Sequence, residues 1–329
     1  MSVLVDHSGD DVWVMSARVT NVDAGGLVSG RYWERLAGLP EVEWVEPILI
    51  GNGLFQKGDG SFEQVWVVGL RRPGLAGGPW AFAEGDNRAL KDLEAVTLKC
   101  LDLGKFGNSD RHHLTEIGGR RVRVGAINEG ARGFQGTLVF GNIQKVRDMA
   151  GTPPGRYSAL SVEFKPGVNQ ALAVPRLQAL VPNLAVMTTP ELSRLTRQYY
   201  VANTGMGGSL AFFTSVAVLV GVVIIILTMY ASVLNRERDF AVLRALGARR
   251  GDIVVLVIGQ GLIISLFGLL LGFTLPALFL NLVRGSTIPS YMPAMVPLLH
   301  AGVTVLCSLL GSLLALRKAL KAEPASVFH

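Results

Sequence analysis

The chain has 329 residues, half of them apolar and only 17% charged, and its mean hydropathy is +0.39. This composition excludes a disordered chain and is too apolar for an ordinary soluble protein, so it points to membrane segments. The net charge of +6 sits almost wholly after residue 204, where nine Lys/Arg face four Asp/Glu. The basicity therefore reads as a membrane-topology signal and not as a footprint for nucleic acid.

Residues 1–204 alternate short strand-like and helix-like stretches. β-Branched and aromatic runs at 12–15, 64–68, 121–126 and 159–164 predict strands. Helices are expected at 30–37, 142–149, 169–180 and 190–202, the last opened by Thr188 and Thr189 before Pro190. The mixture predicts an α+β domain of packed layers, with 190–202 as a stalk leading toward the first membrane helix.

A search of this part for chemistry finds little. His112 and His113 are adjacent and cannot both address one ion from a helix face, so a surface loop is the better reading. Gly118–Gly119 reads as a tight turn entering a strand. Gly104–Lys105 lacks the rest of a Walker loop, and the glycines at 205, 207 and 208 precede a helix without following a strand. Cys100 and Cys307 are poorly placed to pair and have no metal-ligand spacing around them. No catalytic residues, cofactor site or metal site are expected.

Three uncharged stretches follow, at about 210–234, 253–283 and 296–316. Each is long enough to cross a bilayer, where only helices satisfy their own backbone. Pro276 is expected to kink the second helix or to mark where it frays. Gly268 and Gly272 form a GxxxG spacing there, and Ser308, Gly311 and Ser312 line the third helix as small residues suited to close helix packing. Arg236, Arg238, Arg244, Arg249 and Arg250 lie between the first two helices, and Arg317, Lys318 and Lys321 follow the third. Only Arg284 lies between the second and third. The positive-inside rule puts the first loop and the tail in the cytoplasm, and residues 1–204 outside it. Residues 1–8 offer neither a signal peptide nor a membrane helix to carry that domain across. A first membrane helix is therefore expected to be missing from this chain, as in a truncated or degenerate copy.

Between the first two spans, 235–252 reads as a short amphipathic helix. Phe240, Leu243 and Gly247 follow helical spacing, Val242 and Leu246 widen the apolar stripe, and Gly247 is a natural stop. Physics alone leaves two readings level: a helix lying on the bilayer surface, or a coupling helix that docks into a groove on a partner.

This loop, with Arg-Glu-Arg-Asp at 236–239, Leu-Arg-Ala-Leu-Gly-Ala at 243–248 and the Gly-rich helix at 253–273, resembles the FtsX-like permease family, which includes the MacB-type exporters. The layout of 1–204 is similar to that family's extracytoplasmic domain. The resemblance implies a domain boundary near 204/205, with a permease membrane domain over 205–329. It decides for a coupling helix at 235–252, with Arg236, Glu237, Arg238, Phe240, Leu243, Arg244, Leu246 and Gly247 meeting an ATP-binding-cassette subunit. ATP would then act only through that partner. It also implies a dimer with itself or with a similar permease, and in an exporter a periplasmic adaptor, with membrane lipid around the helices. The family has four membrane helices where this chain has three. Gln260 stands where relatives often carry glutamate, and the tail at 324–329 departs from the usual Pro-x-x-Ala-Leu-Arg. Three functional readings follow: export of a lipid, lipoprotein or small hydrophobic compound; regulation of a cell-wall hydrolase; or an inactive remnant. The size of the outer domain favours export.

Overall fold

The run Val-Trp-Val-Met at the head of Val12–Ser16 is buried on both faces, as a strand without alternation must be in water. It sits near one end of a ten-stranded mixed sheet in a computed structural model that describes residues 2–72, 74, 76–107, 110–129, 136–283 and 295–319. Two units are present, Met1–Gly207 and Gly208–His329.

The first unit runs α1 (Val3–Asp6), β1 (Val12–Ser16), β2 (Val28–Ser29), α2 (Arg31–Ala37), β3 (Val42–Gln56), β4 (Phe62–Leu70), β5 (Phe82–Glu84), β6 (Ala95–Lys99), β7 (Leu114–Ile117) and β8 (Arg120–Asn128). It continues with β9 (Thr137–Asn142), α3 (Ile143–Ala150), β10 (Arg156–Tyr157), β11 (Ala159–Phe164), α4 (Gln170–Leu180), β12 (Leu184–Thr188) and α5 (Thr189–Asn203). The large sheet has the order β12-β1-β11-β3-β4-β9-β6-β8-β5, with β7 bridging β3 and β8; β10 and β2 form a separate pair. Most neighbours are antiparallel, but β4 with β9 and β6 with β8 are parallel.

Apolar side chains from both sheet faces build the core. Leu36 of α2 and Ala173 and Leu177 of α4 pack with Val45, Leu160 and Val162. Ile143, Val146 and Met149 of α3 pack with Leu49, Val67 and Val139. Leu192 of α5 joins Leu4, Trp13, Ile48 and Phe140. The stalk helix is thus part of the core of this unit.

The second unit contains α6 (Met206–Asn235), α7 (Glu237–Ala245), α8 (Arg250–Val283) and α9 (Met295–Ala319). Three of its helices are long and apolar enough to cross a membrane, over Gly207–Asn235, Arg250–Leu282 and Met295–Leu313. An α+β domain followed by three long apolar helices is therefore the architecture, as composition and periodicity imply. α8 passes through Pro276 as one helix to Val283 and does not end there. The stalk does not run on unbroken into α6: α5 stops at Asn203, and Gly205 takes a left-handed φ of +73°. The features expected at Arg284, Lys321 and 324–329 lie outside the described residues, as do the side chains of Arg317 and Lys318.

Candidate coupling surface and stalk

α7 is held on one side and open on the other. Phe240 is 2% exposed and packs with Met229 and Val233 of α6 and Ile253 and Val257 of α8. Ala241 is fully buried beside it. Val242 and Leu246 lie on the opposite side of the helix, Leu246 at 81% exposure, and Leu243 sits at the flank at 37%. The single stripe expected from spacing is therefore divided. Phe240 fills the cleft between the ends of the antiparallel α6 and α8, which leaves the leucines outside it. Arg236, Arg238 and Asp239 are exposed and Arg244 is half-buried; Glu237 is helical, and its side chain lies outside the description.

The end of α7 is fixed by a two-bond C-terminal motif. Ala248 N donates to Leu243 O at 3.0 Å and Gly247 N to Arg244 O at 3.1 Å. This places Gly247 at φ +96°, a conformation glycine takes without steric cost. Asp252 Oδ2 then accepts from Arg249 N at 2.8 Å and caps the start of α8.

The packing residues divide too. Ser308 Oγ donates to Gly261 O at 2.6 Å, and Ser312 Oγ donates to Ser308 O at 2.8 Å. A Cβ on Gly261 would meet Ser312 Oγ at 2.0 Å, one on Gly272 would meet His300 Nε2 at 2.8 Å, and one on Gly311 would meet Ile225 Cγ2 at 3.1 Å. Gly268 faces open space. The face of α8 that meets α9 is therefore marked by Gly261 and Gly272, about three helical turns apart, and not by the GxxxG pair. Gln260 Nε2 donates to Ser232 Oγ at 2.5 Å and ties α8 to α6. Sequence inspection missed Gly261, for which the three-turn spacing to Gly272 was the available signal.

In the outer unit, α5 is docked along its length. Thr188 and Glu191 form a reciprocal capping box at its start. Thr189 Oγ1 donates to Asp10 O at 2.7 Å, Ser193 Oγ to Asp6 Oδ1 at 2.5 Å and Arg197 Nη2 to Asp6 Oδ2 at 2.9 Å. Thr196 Oγ1 accepts from Val22 N at 3.2 Å, and the Tyr200 hydroxyl donates to Asp23. Burial pushes the Asp6 carboxyl upward, but hydrogen bonds from Ser193, Ser2 and Arg197 outweigh it and the net shift is downward.

Asp10 gathers donors from Ser8, Trp13, Ser161 and Thr189, yet burial still raises its pKa. Glu163 beside it is raised to about 7, first by burial and then by the Asp11, Asp10 and Glu43 carboxylates. Among the described residues no cluster of His, Cys, Asp or Glu is arranged to hold a metal ion. Arg123 Nη1 donates to His112 Nδ1 at 3.0 Å, in a turn where His112 has φ +76°.

Residues 211–324 match the family described as FtsX-like permease C-terminal. No curated protein matches the chain. Among solved structures, the periplasmic region of MacB from Actinobacillus actinomycetemcomitans is 13% identical, with a TM-score of 0.43, over 60% of this chain and 94% of that one. The extracellular domain of the noncanonic ABC-type transporter YknZ from Gram-positive bacteria is 13% identical, with a TM-score of 0.39, over 54% and 98%. A permease-protein domain from Porphyromonas gingivalis is 14% identical, with a TM-score of 0.35, over 54% and 86%.

Proposed function

We propose that the chain, whose residues 211–324 match the FtsX-like permease C-terminal family, is the multi-pass, non-catalytic membrane subunit of an ABC-type permease and that it transmits ATP-driven motion of a separate ATPase, through α7, to an extracytoplasmic domain. The observation that carries this reading is the division of α7. Its inner side, Phe240 and Ala241, is wedged between the ends of α6 and α8, while Val242, Leu243 and Leu246 are left on the outside. A helix built in this way moves with two membrane spans when its outer side is pushed. The outer side is also what a helix-in-groove partner requires, because it offers apolar anchors at helical spacing with arginines around them.

Orientation supports the same reading. Five arginines fall between the first two spans, at 236, 238, 244, 249 and 250, so that loop is cytoplasmic and residues 1–204 are extracytoplasmic. The stalk helix α5 belongs to the core of the outer unit through Leu192 and Tyr200, which are fully buried or nearly so, so a displacement of α5 is felt by the sheet. The spans carry no Asp, Glu, Lys or Arg between 207 and 235, 253 and 283, or 295 and 313, and so offer no charged path for an ion. The permease works as a dimer with itself or with a similar chain. It exports a lipid, a lipoprotein or a small hydrophobic compound, with an adaptor on the outer face.

Co-expression with an ATP-binding-cassette subunit encoded beside it, followed by detergent extraction, tests the reading. The two co-purify, and Leu243→Asp removes the ATPase while the permease stays in the membrane. Retention of the ATPase by that variant contradicts the assignment of α7.

A further inference from the structure

The hydroxyls of the membrane helices are almost all occupied. Ser215, Thr228, Ser265 and Thr274 donate to carbonyls one turn earlier in their own helices. Ser232 accepts from Gln260, and Ser308 and Ser312 bond to backbone carbonyls; Ser209 is also engaged. Among the described serines and threonines of α6, α8 and α9, the exceptions are Thr214 and Thr304; the exposed Tyr230 hydroxyl, near the opposite end of α6, also has no hydrogen bond within the chain. The two threonines line one cavity of about 480 Å³ between α6 and α9, and His300 lines it with them.

The cavity has a direction. Ile225 of α6 lies against Gly311 of α9, and Phe213 and Thr214 share the other end with His300, so the two helices run parallel beside it. Thr214, His300 and Thr304 fall in the N-terminal halves of their helices. Val222, Ile225 and Cys307 line the deeper end. With the loop after α6 in the cytoplasm, the polar end faces the outer leaflet and the apolar end reaches toward the bilayer centre. Thr214 and His300 stand at the outer end, and Thr304 lies one turn deeper, near the middle of Met295–Leu313; polar groups at that end above an apolar slot match one kind of occupant. The volume lies within the range of small-molecule pockets, roughly 300–1,000 Å³.

We propose that this groove is a binding site for an outer-leaflet amphiphile, with its acyl chain along Val222, Ile225 and Cys307 and its hydrogen-bond-accepting groups held by Thr214 and His300 at the outer end and by Thr304 one turn deeper. The inference rests on the membrane orientation given above and not on attachment to an ATPase. The test is therefore made on the full chain without an ATPase, so its failure is distinct from failure of the coupling assignment.

The chain is reconstituted into phosphatidylcholine nanodiscs with a lysophosphatidylglycerol that carries a diazirine at mid-chain, irradiated, and mapped by mass spectrometry. Label that saturates with added lipid, confined to 217–225 and 303–307, is expected. Gly221→Trp, which fills the slot, removes that label. Thr214→Val with Thr304→Val preserves shape and weakens saturable labelling about thirtyfold, the loss expected for two hydrogen bonds of roughly 1 kcal/mol each. Label that does not saturate and spreads equally over the outward side of α8 means annular lipid only, and overturns the proposal. Disulfide-linked dimers through Val218→Cys, with the groove unlabelled, mean that a second copy fills it, and overturn it equally. Unchanged labelling in the double threonine variant also contradicts it.

Discussion

The Tyr200 hydroxyl donates a 2.5 Å hydrogen bond to Asp23 Oδ2, joining the last full turn of the stalk helix to the segment that follows β1. Asp23 is buried enough that its pKa is raised, with the Tyr200 bond acting in the opposite direction. Four further polar contacts, from Thr189 to Arg197, fix the rest of α5. The stalk is thus a structural member of the outer unit and not a tether.

Tyr200→Phe removes that bond and leaves a buried carboxylate short of a donor, at a cost of about 1–3 kcal/mol. Hydrogen exchange followed by mass spectrometry should show faster exchange over the second half of α5, with the strands β3 and β4 protected as before. Unaltered exchange in α5 means that the polar contacts do not fix it.

Glu163 gives the outer unit a pH dependence. Its folded pKa of about 7 is above the ordinary carboxyl value of 4.5, so the folded state holds the proton more tightly than the unfolded chain does. The stability it contributes is present below about 4.5 and is lost as pH rises through about 7. Glu163→Gln is therefore expected to raise the melting temperature at pH 8, with the gain shrinking as pH falls and vanishing near pH 4. Thermal unfolding of both proteins across that range checks the sign.

Gly261 and Gly268 make a paired prediction for the membrane unit. A Cβ at 261 collides with Ser312 Oγ, whereas one at 268 meets open space. Gly261→Ala is expected to destabilise by about 1–3 kcal/mol, the usual cost of overpacking. Gly268→Ala should be neutral or slightly stabilising, since alanine is the better helix former by about 1 kcal/mol. Detergent or urea denaturation of the two variants separates a packing role at 261 from a general preference for glycine.

These contrasts mark where sequence stops being informative. In the outer unit β1, β4, β8 and β11 were legible as β-branched and aromatic runs and α2 to α5 as helices, whereas β3, the longest described strand, was not. The strand expected at 159–164 and the helix expected at 30–37 fall within a residue of Ala159–Phe164 and Arg31–Ala37. The membrane helices were legible because the bilayer sets their length. The direction of each side chain around α7 was not. Phe240 and Leu243 are equally apolar, and only the cleft between α6 and α8 decides which turns inward. Gly261 stayed hidden for the same reason: helix contacts depend on register, and the register of α8 against α9 is set by Ser308 and Ser312. Thr214 and Thr304 look like any other membrane threonines until the partners of the remaining hydroxyls are known.

The central claim is that the outer side of α7 is the surface an ATPase touches. Single cysteines at Leu246 and at Phe240, in a background with Cys100 and Cys307 replaced by serine, are cross-linked to the co-expressed ATP-binding-cassette subunit by a short bifunctional maleimide. The account predicts a permease–ATPase adduct from Leu246→Cys and none from Phe240→Cys, whose side chain is enclosed by α6 and α8. Equal adducts from both positions, or none from Leu246→Cys in a complex that co-purifies, would contradict it.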